Sequence, residues 1–255
     1  LELNQGYINT GTWSCHVEPK GAILFIFPIV VYLFFASGIN NFAKLPILQK
    51  NIAEIAEWQT LRGKNVQLKN NISIIGFWGD DLDYRKLDAF NLNQKIYKRF
   101  YKFKDLQFIM VVLNNNQDKL LKIIDELKKG SSEDMSKWKF ILGDETKIQG
   151  LFSSFGSDIE LNNKLSTPFV FIVDKDKSLR GRDDDNSMGT LYGYNSSSVA
   201  ELTKKMTDDI KIILAEYRLA LKKNNKKVLS TPLTFAATTN SIPLSPYASR
   251  TSLKD

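Results

Sequence analysis

Short apolar runs alternate with helical patterns through the middle of the chain. Residues 72–77, 106–113 and 169–173 are apolar nearly throughout. Such runs are typical of strands buried on both faces at the centre of a sheet. Two shorter runs, residues 66–68 and 138–142, are further strand candidates. We also expect residues 178–182 to return antiparallel to the strand at 169–173.

Between and after these runs, apolar residues recur about every 3.6 positions. This spacing predicts helices over 83–101, 117–127, 145–155 and 199–221. The last is the most regular, and Ser198 with Glu201 three residues later fits a capping box. The residues expected to face inward from the first two helices are Leu87, Phe90, Ile96, Tyr97, Phe100, Tyr101, Leu120, Leu121, Ile124 and Leu127. A βαβ order followed by a hairpin and a final helix predicts an α/β fold with a central sheet covered by helices.

The start of the chain follows a different pattern, because residues 21–43 include no charged side chain. A membrane-spanning helix needs roughly 20 apolar residues, and this run supplies about that number. Pro28 is compatible with a membrane helix. We therefore predict a single transmembrane helix, with residues 22–39 in the lipid bilayer. A cleaved signal peptide is the alternative, but no small-x-small cleavage site follows a short apolar core.

These patterns divide the chain into five segments. We predict an N-terminal segment (1–20), the transmembrane helix (21–43), a connector (44–60), a folded domain (61–225) and a disordered tail (226–255) rich in Ser, Thr, Pro and Ala. The connector is expected to form an amphipathic stalk. Its apolar residues recur at roughly helical spacing: Leu45, Ile47, Leu48, Ile52, Ile55 and Trp58.

The net charge adds little to this interpretation. The 255 residues include 35 Lys and Arg against 28 Asp and Glu, a formal charge of +7. One dense basic cluster stands out, formed by Lys222, Lys223, Lys226 and Lys227. Elsewhere the two signs are mixed, which favours a solvated basic surface over nucleic-acid binding.

Cysteine and histidine are nearly absent, which limits the chemistry. The chain has one of each, Cys15 and His16, both before the predicted membrane helix. An internal disulfide and a Cys-x-x-Cys pair are therefore excluded. A zinc site needs about four N or S ligands, and this pair supplies two. We expect no catalytic residue, no metal site and no cofactor in the folded domain, and hence no enzyme.

Three sequence features resemble the SCO branch of the thioredoxin-fold superfamily. Trp78 follows the first core strand, as in the Phe-Trp of thioredoxin-like proteins. Thr167 and Pro168 precede the strand at 169–173, like the threonine and cis-proline of that fold, and residues 173–182 resemble the SCO hairpin. The resemblance covers roughly residues 66–221. It implies a membrane-anchored thioredoxin-like domain, because SCO proteins are anchored copper chaperones and thiol reductases that help assemble cytochrome oxidase.

The chain departs from that family at the positions that carry its chemistry. SCO proteins have Cys-x-x-x-Cys just after Gly-Phe, and aligning Gly76 and Phe77 places Asp80 and Tyr84 at the two cysteine positions. The distal histidine is also missing. Copper(I) requires soft ligands and disulfide exchange requires a thiolate. The resemblance thus implies the fold without a copper or redox site. The degenerate active-site positions are Trp78, Asp80, Asp81 and Tyr84.

Two acidic stretches are candidate cation sites. Asp80, Asp81 and Asp83 cluster at the start of a predicted helix, where they could bind a hard cation or a basic partner. Capping of the helix N-terminus is the favoured interpretation. Residues 183–187 do not match the spacing of an EF-hand loop, and a solvated loop is expected there.

Two further groups of residues are candidate contacts. A cis bond at Thr167–Pro168 would leave backbone groups free to pair with an extended peptide, so these two residues mark a candidate groove. The candidate partner contacts are Arg180, Arg182, Tyr192 and Tyr194. Burial of the two tyrosines against the last helix is the alternative.

The leading hypothesis is a membrane-anchored, non-catalytic domain that acts as an accessory, assembly or scaffold subunit of a membrane complex, for example a respiratory complex. The alternatives are a metal or thiol-redox chaperone that uses Cys15 and His16 or a partner's ligands, and a periplasmic peptide- or solute-binding domain. The resemblance places the domain on the periplasmic side of the inner membrane. The lysines that flank the apolar run, Lys20 before it and Lys44 and Lys50 after it, favour the opposite side slightly.

Overall fold

The structure is a computed structural model that describes residues 19–38, 44–61, 63 and 65–230, with side chains described within 25–34, 44–61, 63 and 65–220. Nearly all of the predicted N-terminal segment and of the predicted tail lies outside these residues. The chain divides into two compact units, Leu1–Glu216 and Tyr217–Asp255. The sheet and the candidate site belong to the first.

A sheet of eight strands forms the centre of the domain. Its strands are β1 (Ile47–Gln49), β2 (Gln59–Thr60), β3 (Ile72–Gly79), β4 (Leu106–Leu113), β5 (Trp138–Gly143), β6 (Phe169–Val173), β7 (Leu179–Arg180) and β10 (Tyr194–Asn195). The order is β1-β7-β6-β3-β4-β5-β2, and β10 pairs with β6. Strands β3, β4 and β5 are parallel, and every other pairing is antiparallel. A separate hairpin consists of β8 (Arg182–Asp185) and β9 (Gly189–Leu191).

Helices cover both faces of this sheet. The α-helices are α1 (Pro19–Gly38), α2 (Leu82–Leu92), α3 (Lys98–Phe100), α4 (Gln117–Lys129), α5 (Glu145–Ser153), α6 (Val199–Glu201) and α7 (Thr207–Ser230). A π-helical turn, Asn93–Tyr97, joins α2 to α3, and a second one, Leu202–Met206, joins α6 to α7. The four predicted helical segments of the domain are thus present, and two of them contain a π turn.

The apolar runs predicted as central strands are indeed strands, and they are buried on both faces of the sheet, as expected. All eight residues of β3 are buried, as are seven of the eight in β4. On one face of the sheet, Phe77 packs edge-on against Phe155 and Phe171, with ring centroids 5.6 and 6.0 Å away. On the other face, Trp138 stacks on Phe108 at 5.4 Å. Burial on both faces explains why these runs lack polar alternation.

The predicted stalk is not a helix. Residues 50–55 are irregular, and short strands on either side of them add edges to the sheet. Ile52 and Ile55, 0% and 1% exposed, belong to the main hydrophobic core. The strand predicted at 66–68 is not formed either, although Val66 and Leu68 are buried.

The inner faces of the predicted helices also need correction. Leu87 in α2 and Leu121 in α4 are 67% and 47% exposed, whereas Ile123 is buried. At α6, the Ser198 hydroxyl accepts from the Glu201 N–H at 3.3 Å, but the Glu201 carboxylate accepts from the N–H of Asn195. The capping box is therefore half formed.

Helix α1 coincides with much of the predicted transmembrane segment, and residues 39–43 of that segment lie outside the described residues. Within the part of the chain that the structure describes, no helix is long and apolar enough to cross a membrane.

Candidate functional site

The candidate site is the turn between β3 and α2, at the carboxyl end of a central parallel strand. A bulge in the β3–β4 pairing occurs between Phe77 and Gly79, just before this turn. Gly79 has a positive φ of +50°, a conformation that favours glycine. A β-carbon at Gly79 would lie 2.0 Å from the carbonyl oxygen of Lys164. The turn is therefore shaped by close contact with a second segment.

That second segment, which we name the covering loop, comprises residues 162–166. Asn162 shapes it, because its side-chain oxygen accepts from the N–H groups of Lys164 and Ser166 at 2.9 and 3.0 Å. Leu165 has a positive φ of +56°, which turns the chain sharply. The Lys164 carbonyl accepts from the N–H of Asp80 at 2.8 Å. The covering loop thus lies directly on the turn.

An ion pair joins the covering loop to the start of α2. Lys164 Nζ lies 3.1 Å from a carboxylate oxygen of Asp81, which is 7% exposed. The same ammonium group lies 5.7 Å from the ring centroid of Tyr84. The hydrogen bond to Asp81 raises the pKa of Lys164. This lysine therefore neutralises a carboxylate that would otherwise be buried and unpaired.

The other two acidic residues of the turn are paired as well. Asp80 accepts from the Asn116 side chain, and Asp83 lies 2.6 Å from Lys119. Asp81 is the N-cap residue of α2, but its side chain makes no capping hydrogen bond. Asp81 and Asp83 therefore occupy the N-cap and first turn of α2, as the capping interpretation predicted, but their carboxylates bind side chains of neighbouring segments and not the backbone N–H groups of the helix.

Trp78 and Tyr84, the remaining degenerate positions, have different environments. Trp78 is 3% exposed and packs against Phe140 and Trp138, with ring centroids 5.8 and 6.4 Å away. Tyr84 is 70% exposed. Trp78 is thus a core residue, and Tyr84 is on the surface beside Lys164.

The Thr167–Pro168 segment is paired within the domain. The N–H of Thr167 donates to the carbonyl of Phe77 at 3.0 Å. The carbonyl of Pro168 accepts from both the N–H and the hydroxyl of Ser196. These two backbone groups are therefore not available to an extended peptide, and the groove itself stays a prediction.

The arginine and tyrosine contacts predicted for a partner lie largely inside the domain. Arg180 is 5% exposed and binds Asp174. Arg182 binds Asp209 of α7 at 2.8 Å. Tyr194 is fully buried and donates to the same carboxylate at 2.7 Å, and burial raises its pKa well above the usual value.

Tyr192 is half-buried and packs against the hydrophobic core. Tyr194, buried against Asp209 of the last helix, therefore follows the alternative, whereas Tyr192 packs on the core.

The acidic stretch after Arg182 is also partly internal. Asp183 and Asp184 are exposed, whereas Asp185 is buried and lies 2.7 Å from Lys205. The hydrogen bond from Lys205, with a further one from Ser187, holds the pKa of Asp185 well below its usual value. Among the described residues, no group of three or more Asp, Glu, His or Cys side chains is arranged to hold a metal ion. Cys15 and His16 lie outside the described residues.

The central sheet defines the class of protein. Parallel strands β3 to β5, the antiparallel β6 and β7, and helices on both faces make a mixed α/β, thioredoxin-like fold. Its usual reactive position, the turn after β3, carries paired carboxylates under a covering loop. No protein-family model matches the chain, and no curated protein matches it.

Solved structures similar to this chain include SCO and thioredoxin-like proteins. An SCO1/SenC family lipoprotein from Bacillus anthracis str. Ames is 15% identical, with a TM-score of 0.49 over 68% of this chain and 99% of that chain. BsSco, a member of the Sco family of cytochrome c oxidase assembly proteins, is 16% identical, with a TM-score of 0.44 over 67% and 98%. The thioredoxin domain of a thiol-disulfide oxidoreductase from Bacteroides vulgatus is 17% identical, with a TM-score of 0.38 over 55% and 86%. These similarities concern the fold.

Sequence reasoning missed the residues that close the site. Lys164 and Asn162 were not singled out, although Asn-Asn-Lys shortly before Ser-Thr-Pro is a turn-forming signal. The partners Asp174 and Glu216 of Arg180 were missed too. A signal existed for Asp174, because SCO-like hairpins begin with an aspartate at this point.

Proposed function

We propose that this protein is a membrane-anchored, non-catalytic thioredoxin-fold domain that serves as an accessory, assembly or scaffold subunit of a membrane protein complex. The observation that carries the proposal is the closed turn after β3. Its backbone contacts the covering loop through Gly79 and Asp80, and Asp81 is neutralised by Lys164. A turn closed in this way serves contact between segments rather than chemistry on a substrate.

The residue types in the domain support the same proposal. The chain's one cysteine and one histidine are at positions 15 and 16, so the domain from Leu45 onward has no thiolate or imidazole. Carboxylates are poor ligands for copper(I) and cannot replace a thiolate in disulfide exchange. The carboxylates at the turn are moreover already paired with Lys164, Asn116 and Lys119.

The membrane anchor rests on the uncharged run at 21–43. The resemblance to SCO proteins favours the periplasmic side of the inner membrane for the domain, and Lys44 and Lys50 favour the opposite side only slightly. Protease treatment of intact and opened spheroplasts tests this side directly. Cleavage of the domain in intact spheroplasts supports it, and protection until the membrane is opened rejects it.

The subunit role is tested by purifying the full chain in mild detergent from its native membrane and identifying the proteins that accompany it in stoichiometric amounts. An integral membrane complex is expected. The matched control is a variant in which residues 21–43 are replaced by an unrelated membrane helix, which separates recruitment by the helix from recruitment by the domain. A chain that stays monomeric in every mild detergent tried contradicts the proposal.

Metal analysis tests whether the chain is instead an active copper chaperone. The purified full chain is loaded with copper(I), washed and measured, with Cys15→Ser as the paired variant. We expect substoichiometric copper in both proteins. Stoichiometric copper that disappears in Cys15→Ser would reject the non-catalytic proposal.

A further inference from the structure

A cluster of exposed cations lies at the end of the sheet opposite to the candidate site. We name it the basic end and define it as Lys69, Lys98, Arg99, Lys102 and Lys104, all of which are exposed. Four of the five come from one short stretch, Lys-Arg-Phe-Tyr-Lys-Phe-Lys at 98–104. The fifth comes from the segment before β3.

The topology brings these two segments together. Strands β3 and β4 are parallel and begin in register, with Ile72 beside Leu106. The N–H of Ile72 donates to the carbonyl of Asp105 at 2.8 Å, so the segments that precede the two strands are neighbours. Lys137, just before β5, donates to the carbonyls of Phe103 and Lys104. The amino ends of three parallel strands therefore share this basic surface.

Three carboxylates at this end are engaged, and a fourth, Asp176 in the turn after β6, is exposed. Asp105 lies 2.5 Å from Lys175, and the Glu133 carboxylate accepts from the Ser132 hydroxyl at 3.1 Å. Asp134 accepts from the N–H of Ser136. Within the described part of the chain, none of the five cations of the basic end forms a salt bridge. Their charge is therefore available to a partner, and mutual repulsion makes an anionic partner favourable.

Aromatic side chains interrupt the cationic stretch. Tyr101 and Phe103 are half-buried, and Lys102 Nζ lies 5.8 Å from the Tyr101 ring centroid. A surface of lysines with partly accessible aromatic rings suits the interface between lipid headgroups and acyl chains, where both residue types are enriched.

The charges of the domain are also separated along the strands. The basic end lies at the amino end of β3, whereas Asp80, Asp81 and Asp83 lie at its carboxyl end. Such a separation orients a protein in the field of a charged surface. An anionic surface would attract the basic end more strongly than the turn after β3, where Asp81 and Asp83 are paired with Lys164 and Lys119.

The chain itself indicates which anionic surface lies close by. Leu45 is fixed to the domain through both backbone groups, since its N–H donates to Glu216 and its carbonyl accepts from Arg180. Residues 39–44 separate it from the end of α1 at Gly38, and seven residue steps reach at most about 25 Å. If the uncharged run is in the bilayer, as the proposed function requires, the domain lies beside the lipid headgroups.

We propose that the basic end docks on anionic phospholipid headgroups and orients the anchored domain, with its acidic turn directed away from the membrane. This inference rests on the membrane anchor of the proposed function. It adds a specific surface, a lipid class and an orientation.

The test uses the full chain added to preformed vesicles of phosphatidylcholine alone or of phosphatidylcholine with phosphatidylglycerol. Floated vesicles are treated with an acetylating reagent, and the labelling rate of each lysine is read by mass spectrometry. A lysine near an anionic headgroup surface is stabilised by about 1 kcal/mol, which corresponds to a factor of about five. We therefore expect Lys69 and Lys104 to be labelled about fivefold more slowly on anionic vesicles than on neutral ones. Raising the salt from about 0.1 to about 1 M shortens the screening length from about 10 to about 3 Å and should restore the rate.

A triple variant, Lys98→Gln, Arg99→Gln and Lys102→Gln, should abolish this protection at the two remaining lysines. Equal labelling on both vesicle types in the unmodified chain overturns the proposal. Protection by an oligonucleotide, without protection by anionic vesicles, overturns it in favour of nucleic-acid binding.

The matched control removes the same charge elsewhere, with Lys122→Gln, Lys147→Gln and Lys204→Gln, three exposed lysines outside the basic end. This variant should retain the protection, and loss of it overturns the proposal, because protection would then follow net charge alone. Flotation on neutral vesicles tests the anchor separately. Absence of flotation there rejects the anchor, while protection on anionic vesicles would still support the basic end.

Discussion

Arg180 is the most informative side chain to remove. Its Nη1 lies 3.0 Å from Asp174, its Nη2 lies 2.7 Å from Glu216, and its Nε donates to the carbonyl of Leu45 at 2.8 Å. The three charged side chains are 6%, 2% and 17% exposed. One guanidinium therefore joins the sheet hairpin, the last helix and the segment before β1.

Arg180→Ala would leave two largely buried carboxylates without their cation. Removal of one partner from a buried ion pair costs about 3–5 kcal/mol. Asp174 retains hydrogen bonds from the N–H groups of Asp176 and Ser178, and Glu216 retains one from Leu45. These remaining bonds place the expected loss near the lower bound, about 3 kcal/mol. Since domains are stable by about 5–15 kcal/mol, this loss is a large fraction of the total.

Urea unfolding of the full chain in mild detergent, followed by tryptophan fluorescence, measures this loss. Trp78 and Trp138 are buried and report on the core. Arg99→Ala is the matched control, because Arg99 is exposed, and its effect should be within about 0.5 kcal/mol. In a Glu216→Gln background, the effect of Arg180→Ala should shrink by about 0.5–3 kcal/mol.

A loss below about 1 kcal/mol, the value for an exposed ion pair, would refute the reasoning. So would full additivity of the two substitutions, because groups in one network are expected to couple.

Three further changes test other features. Gly79→Ala should destabilise the domain by about 3 kcal/mol, because it combines a positive φ with a clash against the covering loop; thermal unfolding measures it. Ile52→Ala should cost about 3 kcal/mol in urea unfolding, since this side chain is in the core. Asp185→Asn should cost about 2 kcal/mol at pH 7. Lys205 lowers the pKa of Asp185 in the folded state, so this stabilisation is present above the unfolded value of 3.8 and is lost as the pH falls through the folded value. Unfolding at pH 7 and pH 3 should therefore show a smaller difference between the two proteins at the lower pH.

Each of these has a result that would contradict it. A Gly79→Ala protein as stable as the parent would show that the covering loop can move aside freely. An Ile52→Ala protein as stable as the parent would show that Ile52 does not belong to the core, which would agree with the predicted stalk. A difference for Asp185→Asn that grows on acidification would have the wrong sign for a carboxylate with a lowered pKa.

The sheet was predictable because its central strands are buried on both faces. Residues 72–77, 106–113 and 169–173 are apolar for that reason, and the structure extends or matches each run. The edges were less predictable. The apolar residues of the connector, among them Ile47 and Ile52, recur at roughly helical spacing, but the connector is irregular apart from the short strands β1 and β2. A three-residue strand is too short to show a period of two.

The closed site could not be predicted, because its partners are distant in sequence. Lys164 and Asp81 are 83 residues apart, and Arg180 is 135 residues from Leu45. Local patterns predict that a charge is exposed, and only the tertiary structure shows which charge it meets. The same limit led to the assignment of Arg180 as a partner contact.

The double hold on Leu45 has a mechanical consequence. Force applied to the segment before this residue reaches the domain at the Arg180 and Glu216 contacts before it reaches β1. Strand β1 therefore does not peel from the edge of the sheet until those charged bonds rupture. When the domain is pulled from the segment before Leu45, the force is carried by the sheet hairpin and the last helix together. The edge strand β1 is therefore protected from being separated residue by residue under load.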